Sequence, residues 1–245
     1  SMDAIKVNGL KADRAPVLAG GLAIMIAVFE ELQVEKMIVT EGALRDGVLY
    51  DLLGRQREKD MRDSTVALFK RRYHADTQQP ERVNLLSERL YRMVAGEDVD
   101  QDMLKRLSWA AKLHEIGLTI AHTAYHKHSA YILQNADMPG FSKREQATLA
   151  TIVLGHRGDM GKMAQYIGQP ALWQAVVALR LAVLFYRSRI NVELPGRLDL
   201  RQHARGFTLS LSKSWLSDNP LSASSFRQEV GQWKNVGFQL DIVQE

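Results

Sequence analysis

From Asp60 to about Arg189, apolar residues recur at spacings of three and four through one segment after another, which restricts the middle of the chain to consecutive helices. Val83, Leu86, Leu90 and Met93 make one stripe, Trp109, Leu113, Ile116 and Ile120 a second, and Leu149, Ile152, Val153 and His156 a third. Local chemistry marks the boundaries. Ser142-Lys143-Arg144-Glu145 after Pro139-Gly140 is a capping-box pattern, and Pro170 stands where a first helical turn accepts a residue without an N–H.

The two flanks read differently. The apolar run Ala15 to Phe29 predicts a buried helix, Lys36 to Thr40 a β-branched strand, and Val48 to Leu53 a second helix. One strand makes no sheet, so this segment reads as the edge of an α/β domain whose other strands are missing. Beyond about Asn191, Pro195-Gly196 marks a turn, while Phe207 to Ser212 and Phe238 to Val243 alternate with period two. Ser224 to Lys234 between them reads as a serine-capped helix, giving a small α/β tail.

Composition narrows the function. At 245 residues and 46% hydrophobic content the chain buries a substantial core. Without cysteine, disulfides, thiolate metal sites and cysteine nucleophiles are excluded, and a cytoplasmic location is expected. The apolar run from Ala15 spans 15 residues, short of the roughly 20 needed to cross a bilayer. It also lacks a signal peptide's basic start, so no membrane association is expected. Ser1-Met2 reads as a cloning scar, with the natural start upstream. The net charge of +4 is partly clustered in Lys70-Arg71-Arg72, Lys127, Arg180, Arg187 and Arg189. Such clusters serve either a polyanionic partner or solvated helix faces, and Lys70 to Arg72 read as a helix end where cations suit the dipole.

The chemically suggestive residues are His114-Glu115, His122, His126-Lys127-His128 and His156-Arg157. Histidine beside a carboxylate, with more histidines from neighbouring helices, can enclose a divalent metal that activates water. The alternative is a set of polar groups lining a groove, or the remains of such a centre. The helical block resembles the HD superfamily of metal-dependent phosphohydrolases, whose pattern is an early His, a His-Asp pair and a late Asp. Here the pair is His114-Glu115, while the segments matching the other two ligands carry Gln79 and Val183. Glutamate ligates metal, glutamine does so poorly and valine not at all, so the resemblance implies a degenerate centre without metal.

A second resemblance covers nearly the whole chain. Glu41 to Tyr50, Leu113-His114-Glu115-Ile116-Gly117-Leu118 and above all His126 to Phe141 look like the exopolyphosphatase and guanosine pentaphosphate phosphohydrolase family. The resemblance implies a mainly α fold with α/β ends. Residues 1–58 would be the remnant of an actin-like (ribonuclease H-like) lobe, 59–190 a degenerate HD-like helical domain and 191–245 a small carboxy-terminal α/β domain. In the family, the glycine-rich phosphate loops and the catalytic glutamate lie in amino-terminal lobes that hydrolyse a terminal phosphate with magnesium. Nothing in this sequence matches them, so no catalytic residue, metal ligand or cofactor is expected in this part. Gly20-Gly21 read as a weak phosphate loop or, more commonly, as helix packing.

What remains for this part is to hold the substrate and to form the homodimer that the family resemblance implies. Polyphosphate carries a charge on every unit, and a processive enzyme needs a track of cations and hydrogen-bond donors remote from the reaction. His126, Lys127, His128, His156 and Arg157 are the candidates. Arg180 and Arg187 share one helical face and either grip phosphate or pair with carboxylates; His156 either joins the track or is a buried structural histidine. The main expectation is therefore an exopolyphosphatase half, with guanosine pentaphosphate hydrolysis as the alternative. A nucleic-acid-binding module is less favoured, because no aromatic stacking platform or recognition motif is evident.

Overall fold

A computed structural model describes residues 11, 13–37 and 60–244 of the chain. The chain divides into two compact units, residues 1–49 and 50–245. In the first, a short 3-10 turn at Ala15–Val17 leads into α1 (Leu18–Glu31). The helix is present as expected, but none of its residues is buried, and Leu22, Ile24 and Ile26 are exposed. A helix that is apolar all round needs neighbours on several faces, and the described residues of this unit supply none. Gly20 and Gly21 lie inside α1, where an added Cβ would meet no described atom. The strand expected at Lys36 to Thr40, the helix at Val48 to Leu53 and the Glu41 to Tyr50 match lie largely outside the described residues.

The described residues of the second unit form seven longer helices and a sheet. Asp60 caps α2 (Met61–Arg72) by accepting from Arg62 N at 2.9 Å, and Lys70, Arg71 and Arg72 form its last turn, against the negative end of the dipole. α3 (Gln79–Ala95) has proline in its first turn and stops at Gly96, whose φ of 66° is open to glycine at little cost. Asp100 caps α4 (Gln101–Leu113) through Met103 N at 3.0 Å. The stripe expected to run from Trp109 to Ile120 breaks here. α4 ends at Leu113, a 3-10 turn covers Ile116–Thr119, and Ile120 is 56% exposed.

The chain then forms α5 (Tyr125–Asn135), α6 (Lys143–Gly155), a 3-10 turn at Gly161–Tyr166 and α7 (Pro170–Phe185). Both bonds of the Ser142–Glu145 capping box are formed, and Pro170 opens α7. Of the 16 residues of α7, 12 are buried, which makes it the axis of the unit. At one end of the bundle, the Arg62 guanidinium lies 4.6 Å over the Trp109 ring and bonds Asp60 and Glu145, fastening α2 to α4 and α6.

Beyond α7 a hairpin of β1 (Leu198–His203) and β2 (Gly206–Leu211) is followed by α8 (Lys213–Asp218), α9 (Pro220–Lys234) and β3 (Gln239–Gln244). β2 is central, antiparallel to β1 and parallel to β3, with Leu209 opposite Ile242. A parallel pair needs a long crossover, which α8 and α9 supply. The alternation along Phe207 to Ser212 and Phe238 to Val243 gives these strands to within a residue; β1 carries no such signal, and α9 begins four residues before the expected serine cap, at Pro220. Helical and tail portions share one core through α7. Phe185 packs on Trp215 and Phe226 with centroids at 5.4 and 4.9 Å, and Trp173 packs on Trp233 and Phe238 at 5.7 and 4.6 Å.

Gly117 shows how tightly the bundle closes. Its N–H donates to Ser129 Oγ at 2.8 Å, that hydroxyl donates to His114 O at 2.8 Å, and an added Cβ would overlap Tyr125 O and Ser129 N in the first turns of α5. Because backbone rather than a flexible side chain stands in the way, Gly117→Ala is expected to lower stability by about 2 kcal/mol or more. Urea unfolding checks this; an unchanged midpoint would show that the two turns separate freely.

Candidate functional site

α6 ends at Gly155, and the turn that follows carries the residues on which the candidate site is built. His156 is buried, with Nδ1 2.5 Å from Val153 O and Nε2 3.4 Å from the Tyr125 hydroxyl. Its ring meets His114 edge-on at 5.2 Å and His126 at 6.1 Å, so three histidines from α5 and the ends of α4 and α6 form one cluster. Burial lowers the pKa of His114 and pushes that of His156 well below the usual range. Burial, then the nearby cations Lys162, Arg157, Lys127 and Arg180, lower His126 to about 3. All three rings are therefore neutral at physiological pH. His126 and His156, expected as polyanion contacts, are placed as buried neutral groups, and His156 takes the structural alternative left open by its apolar stripe.

The cations lie around this cluster. The Arg157 guanidinium is stacked 5.2 Å over the Tyr125 ring, with the residue itself exposed, and Lys127 is exposed on α5. Lys162, which the sequence does not single out, donates to Arg157 O; burial, reinforced by Arg180 and Lys127, lowers its pKa to about 8. Arg180 and Lys127 are thus close enough to disfavour the charge on Lys162, a condition that an anion relieves. His128, two residues from His126, points to the other side of α5 and packs over Gly117.

Arg180 is the exception among these cations. It is 2% exposed in the middle of α7, its Nε donates to the Glu229 carboxylate of α9, and Nη1 and Nη2 donate to Gly155 O at 2.9 Å and Gly158 O at 2.7 Å. With every face of the guanidinium used, Arg180 holds the structure together, so the carboxylate pairing is the alternative that the fold adopts. Arg187 donates to Ser225 Oγ at 3.1 Å. His156, Arg157, Arg180, Arg187 and Val183 line one crevice of about 280 Å³ between the ends of α6 and α7 and the flank of α9. Gln79, Glu115 and His128 lie outside it. Gln79 Nε2 donates to Tyr186 O at 2.9 Å, and Glu115 accepts from Arg189 Nη1 at 2.5 Å.

The HD resemblance raises the question of a metal, and the residues do not fit one. Val183 offers no lone pair, the Gln79 amide is spent on Tyr186 O and on Arg82 at 3.1 Å, and the Glu115 carboxylate already holds a guanidinium. Among the described residues no three His, Asp or Glu side chains are grouped to hold an ion.

Residues 61–230 match the family model of Ppx/GppA phosphatase, domain III, and residues 1–56 match that of the Ppx/GppA phosphatase family. The chain belongs to the Ppx/GppA phosphatase family. Among its curated relatives, the guanosine-5'-triphosphate,3'-diphosphate pyrophosphatase of Pseudoalteromonas translucida (strain TAC 125) is 38% identical over 257 residues, covering 98% of this chain and 49% of the relative. A protein of the same name from Vibrio atlanticus (strain LGP32) is 34% identical over 245 residues, with the same coverage. The chain thus spans about half the length of these curated relatives. In this Ppx/GppA domain III the histidine cluster and every crevice residue except Gln232 fall within the matched residues. None of the described helices is long and apolar enough to cross a membrane.

The neutral histidines make stability depend on pH. Unfolded, each titrates near 6.5, whereas folded His126 does so near 3 and His114 and His156 are also lowered. The unfolded chain therefore takes up more protons below 6.5. Their stabilising contribution is intact above that value and falls as the pH drops through the window down to the folded values, by up to about 1.4 kcal/mol per pH unit for each histidine. Urea midpoints are expected to fall steeply between pH 7 and 5, and less steeply in His126→Gln; equal slopes in the two proteins would contradict the buried neutral cluster.

Proposed function

We propose that this chain is the substrate-holding, non-catalytic part of a hydrolase acting on guanosine pentaphosphate, and that Lys127, Arg157 and Lys162 contact its phosphates at the mouth of the Arg180 crevice. The observation that carries the reading is the division among the cations. Arg180 is consumed by Glu229 and two carbonyls, while Lys127, Arg157 and Lys162 converge on the buried His126 without a carboxylate close enough to neutralise them all. Among the described residues Asp159 and Glu229 counter Lys162, and Glu229 is already bound to Arg180. A short, highly charged phosphate ester suits such a compact cluster, since each charge-assisted bond strengthens as its neighbours' repulsion is relieved. The crevice behind it, with Gln228, Gln232 and Ser225 on its α9 side, offers amide and hydroxyl groups for the rest of a nucleotide.

The sequence favoured polyphosphate because of the His126-Lys127-His128 element. Two findings shift the balance: His126 is buried and neutral, and His128 faces away, so the element supplies one cation rather than a rail. The names of the relatives point the same way. On this reading the phosphoanhydride bond is cut by groups on the family's amino-terminal lobes with magnesium, and the present residues hold and orient the substrate.

Calorimetric titration tests the reading. Guanosine 5'-triphosphate 3'-diphosphate should bind, more weakly at higher salt, and Lys127→Ala with Arg157→Ala and Lys162→Ala should reduce affinity by roughly tenfold or more, at about 1.5 kcal/mol for even one lost charged bond. Tighter binding of long-chain polyphosphate than of the nucleotide would restore the exopolyphosphatase reading, and nucleotide affinity unchanged by the triple variant would remove the site.

A further inference from the structure

Arg187 takes no part in the phosphate contacts proposed above, yet it stands where two cavities meet. The crevice of about 280 Å³ and a neighbouring cavity of about 450 Å³ share Leu184, Arg187, Ser225 and Gln228, so the two are continuous along the seam between α7 and α9. This groove has two ends. Arg180 bonds the turn that carries Arg157, and Arg187 follows seven residues later, about 10 Å further on at a helical rise. α9 runs past both, with Glu229 on Arg180 and Ser225 on Arg187.

The Arg187 end is rich in donors that the fold leaves unused. Arg187 is exposed and makes one side-chain hydrogen bond, to Ser225 Oγ at 3.1 Å; among the described residues no carboxylate pairs with it. Ser188, Ser222 and Ser224 line the same cavity, and their hydroxyls make no hydrogen bond with a described residue. α9 begins beside them at Pro220 without a capping side chain, so the positive end of its dipole adds to the field of the guanidinium. A guanidinium without a carboxylate, among free hydroxyls, is donor chemistry suited to phosphate. On the α9 wall of the crevice, Gln232 Oε1 is buried with no partner among the described residues, an acceptor that a sugar hydroxyl or a base N–H would satisfy.

We infer that Arg187, with Ser222 and Ser224, forms a second phosphate subsite, which takes the 3'-diphosphate of the nucleotide while Lys127, Arg157 and Lys162 hold its 5'-triphosphate; the inference rests on the nucleotide reading above. The charges match. The more highly charged arm meets three cations, and the lesser arm meets one cation supplemented by hydroxyls. A ligand with phosphates on two carbons of one ribose is held from both ends of the groove, whereas a nucleotide with one arm leaves Arg187 unused. Arg187 is then the residue that separates the pentaphosphate from guanosine 5'-triphosphate, which shares its base, its ribose and its first arm.

Calorimetry with the two nucleotides, guanosine 5'-triphosphate 3'-diphosphate and guanosine 5'-triphosphate, tests the assignment. The parent chain is expected to bind the first at least about tenfold more tightly, the worth of one charge-assisted bond. Arg187→Ala should bring the two affinities together by weakening the pentaphosphate alone. Arg187→Gln, which keeps an amide donor for Ser225 but no charge, should do the same, and it stands in if the alanine variant does not fold. A merely structural role for Arg187 would weaken both nucleotides alike. Equal affinities in the parent chain, a preference that survives both substitutions, or a parallel loss for the two ligands overturns the inference while leaving the first phosphate site in place. If neither nucleotide binds, or if Lys127→Ala with Arg157→Ala and Lys162→Ala leaves the affinity for guanosine 5'-triphosphate unchanged, the nucleotide reading itself fails and the inference falls with it.

Discussion

The second unit depends on one charged group in an otherwise apolar helix. Arg180 sits in the middle of α7, and leaving such a guanidinium unpaired away from water costs several kcal/mol. The fold meets that demand with the Glu229 carboxylate and the carbonyls of Gly155 and Gly158. Those partners come from α9 and from the turn after α6. The bundle, the crossover of the tail sheet and the turn that carries His156 and Arg157 are therefore tied to a single side chain. Trp233 Nε1 donates to the same Glu229 oxygen at 2.8 Å, which joins the ion pair to the aromatic core of the tail.

This tie sorts the cations into two kinds. Arg62, Arg180 and Arg189 each bond at least one carboxylate, Arg180 two carbonyls besides, and hold elements together. Lys127, Arg157 and Lys162 lie around the turn that Arg180 fixes and are the cations proposed to meet the substrate's phosphates. Within a Ppx/GppA phosphatase chain, the centre of the helical domain holds neutral histidines packed on each other, a guanidinium on Glu115, and a crevice beside Val183.

Much of this was legible in the sequence. The helical stripes, the Ser142–Glu145 box, Pro170 at the start of α7, two of the three strands and the family itself all follow from local chemistry or from long ordered matches. What escaped depends on contacts between distant residues. Arg180 and Glu229 are 49 positions apart, and Arg189 and Glu115 are 74 apart, so nothing local reveals either pair. The left-handed turn at Arg189 has no glycine to announce it. Lys162 had a faint signal, a lone cation in the Gly158 to Gly168 stretch where glycines let the chain fold back on itself. The burial of His156 was legible as one of two alternatives from its apolar stripe, whereas His126 was legible as a neighbour of cations but not as a buried group, because its burial is set by how α5 and the Gly155 to Tyr166 turn close over it.

The central claim is that Arg180 builds the site while Arg157 meets the substrate, and arginine side-chain resonances test this directly. In ¹⁵N-correlated spectra recorded during titration with guanosine 5'-triphosphate 3'-diphosphate, the Arg157 Nε signal should shift progressively to saturation while the Arg180 Nε signal stays in place and remains protected from exchange. An Arg180 signal that moves with ligand, or an Arg157 signal that does not respond while the nucleotide binds, would contradict the account.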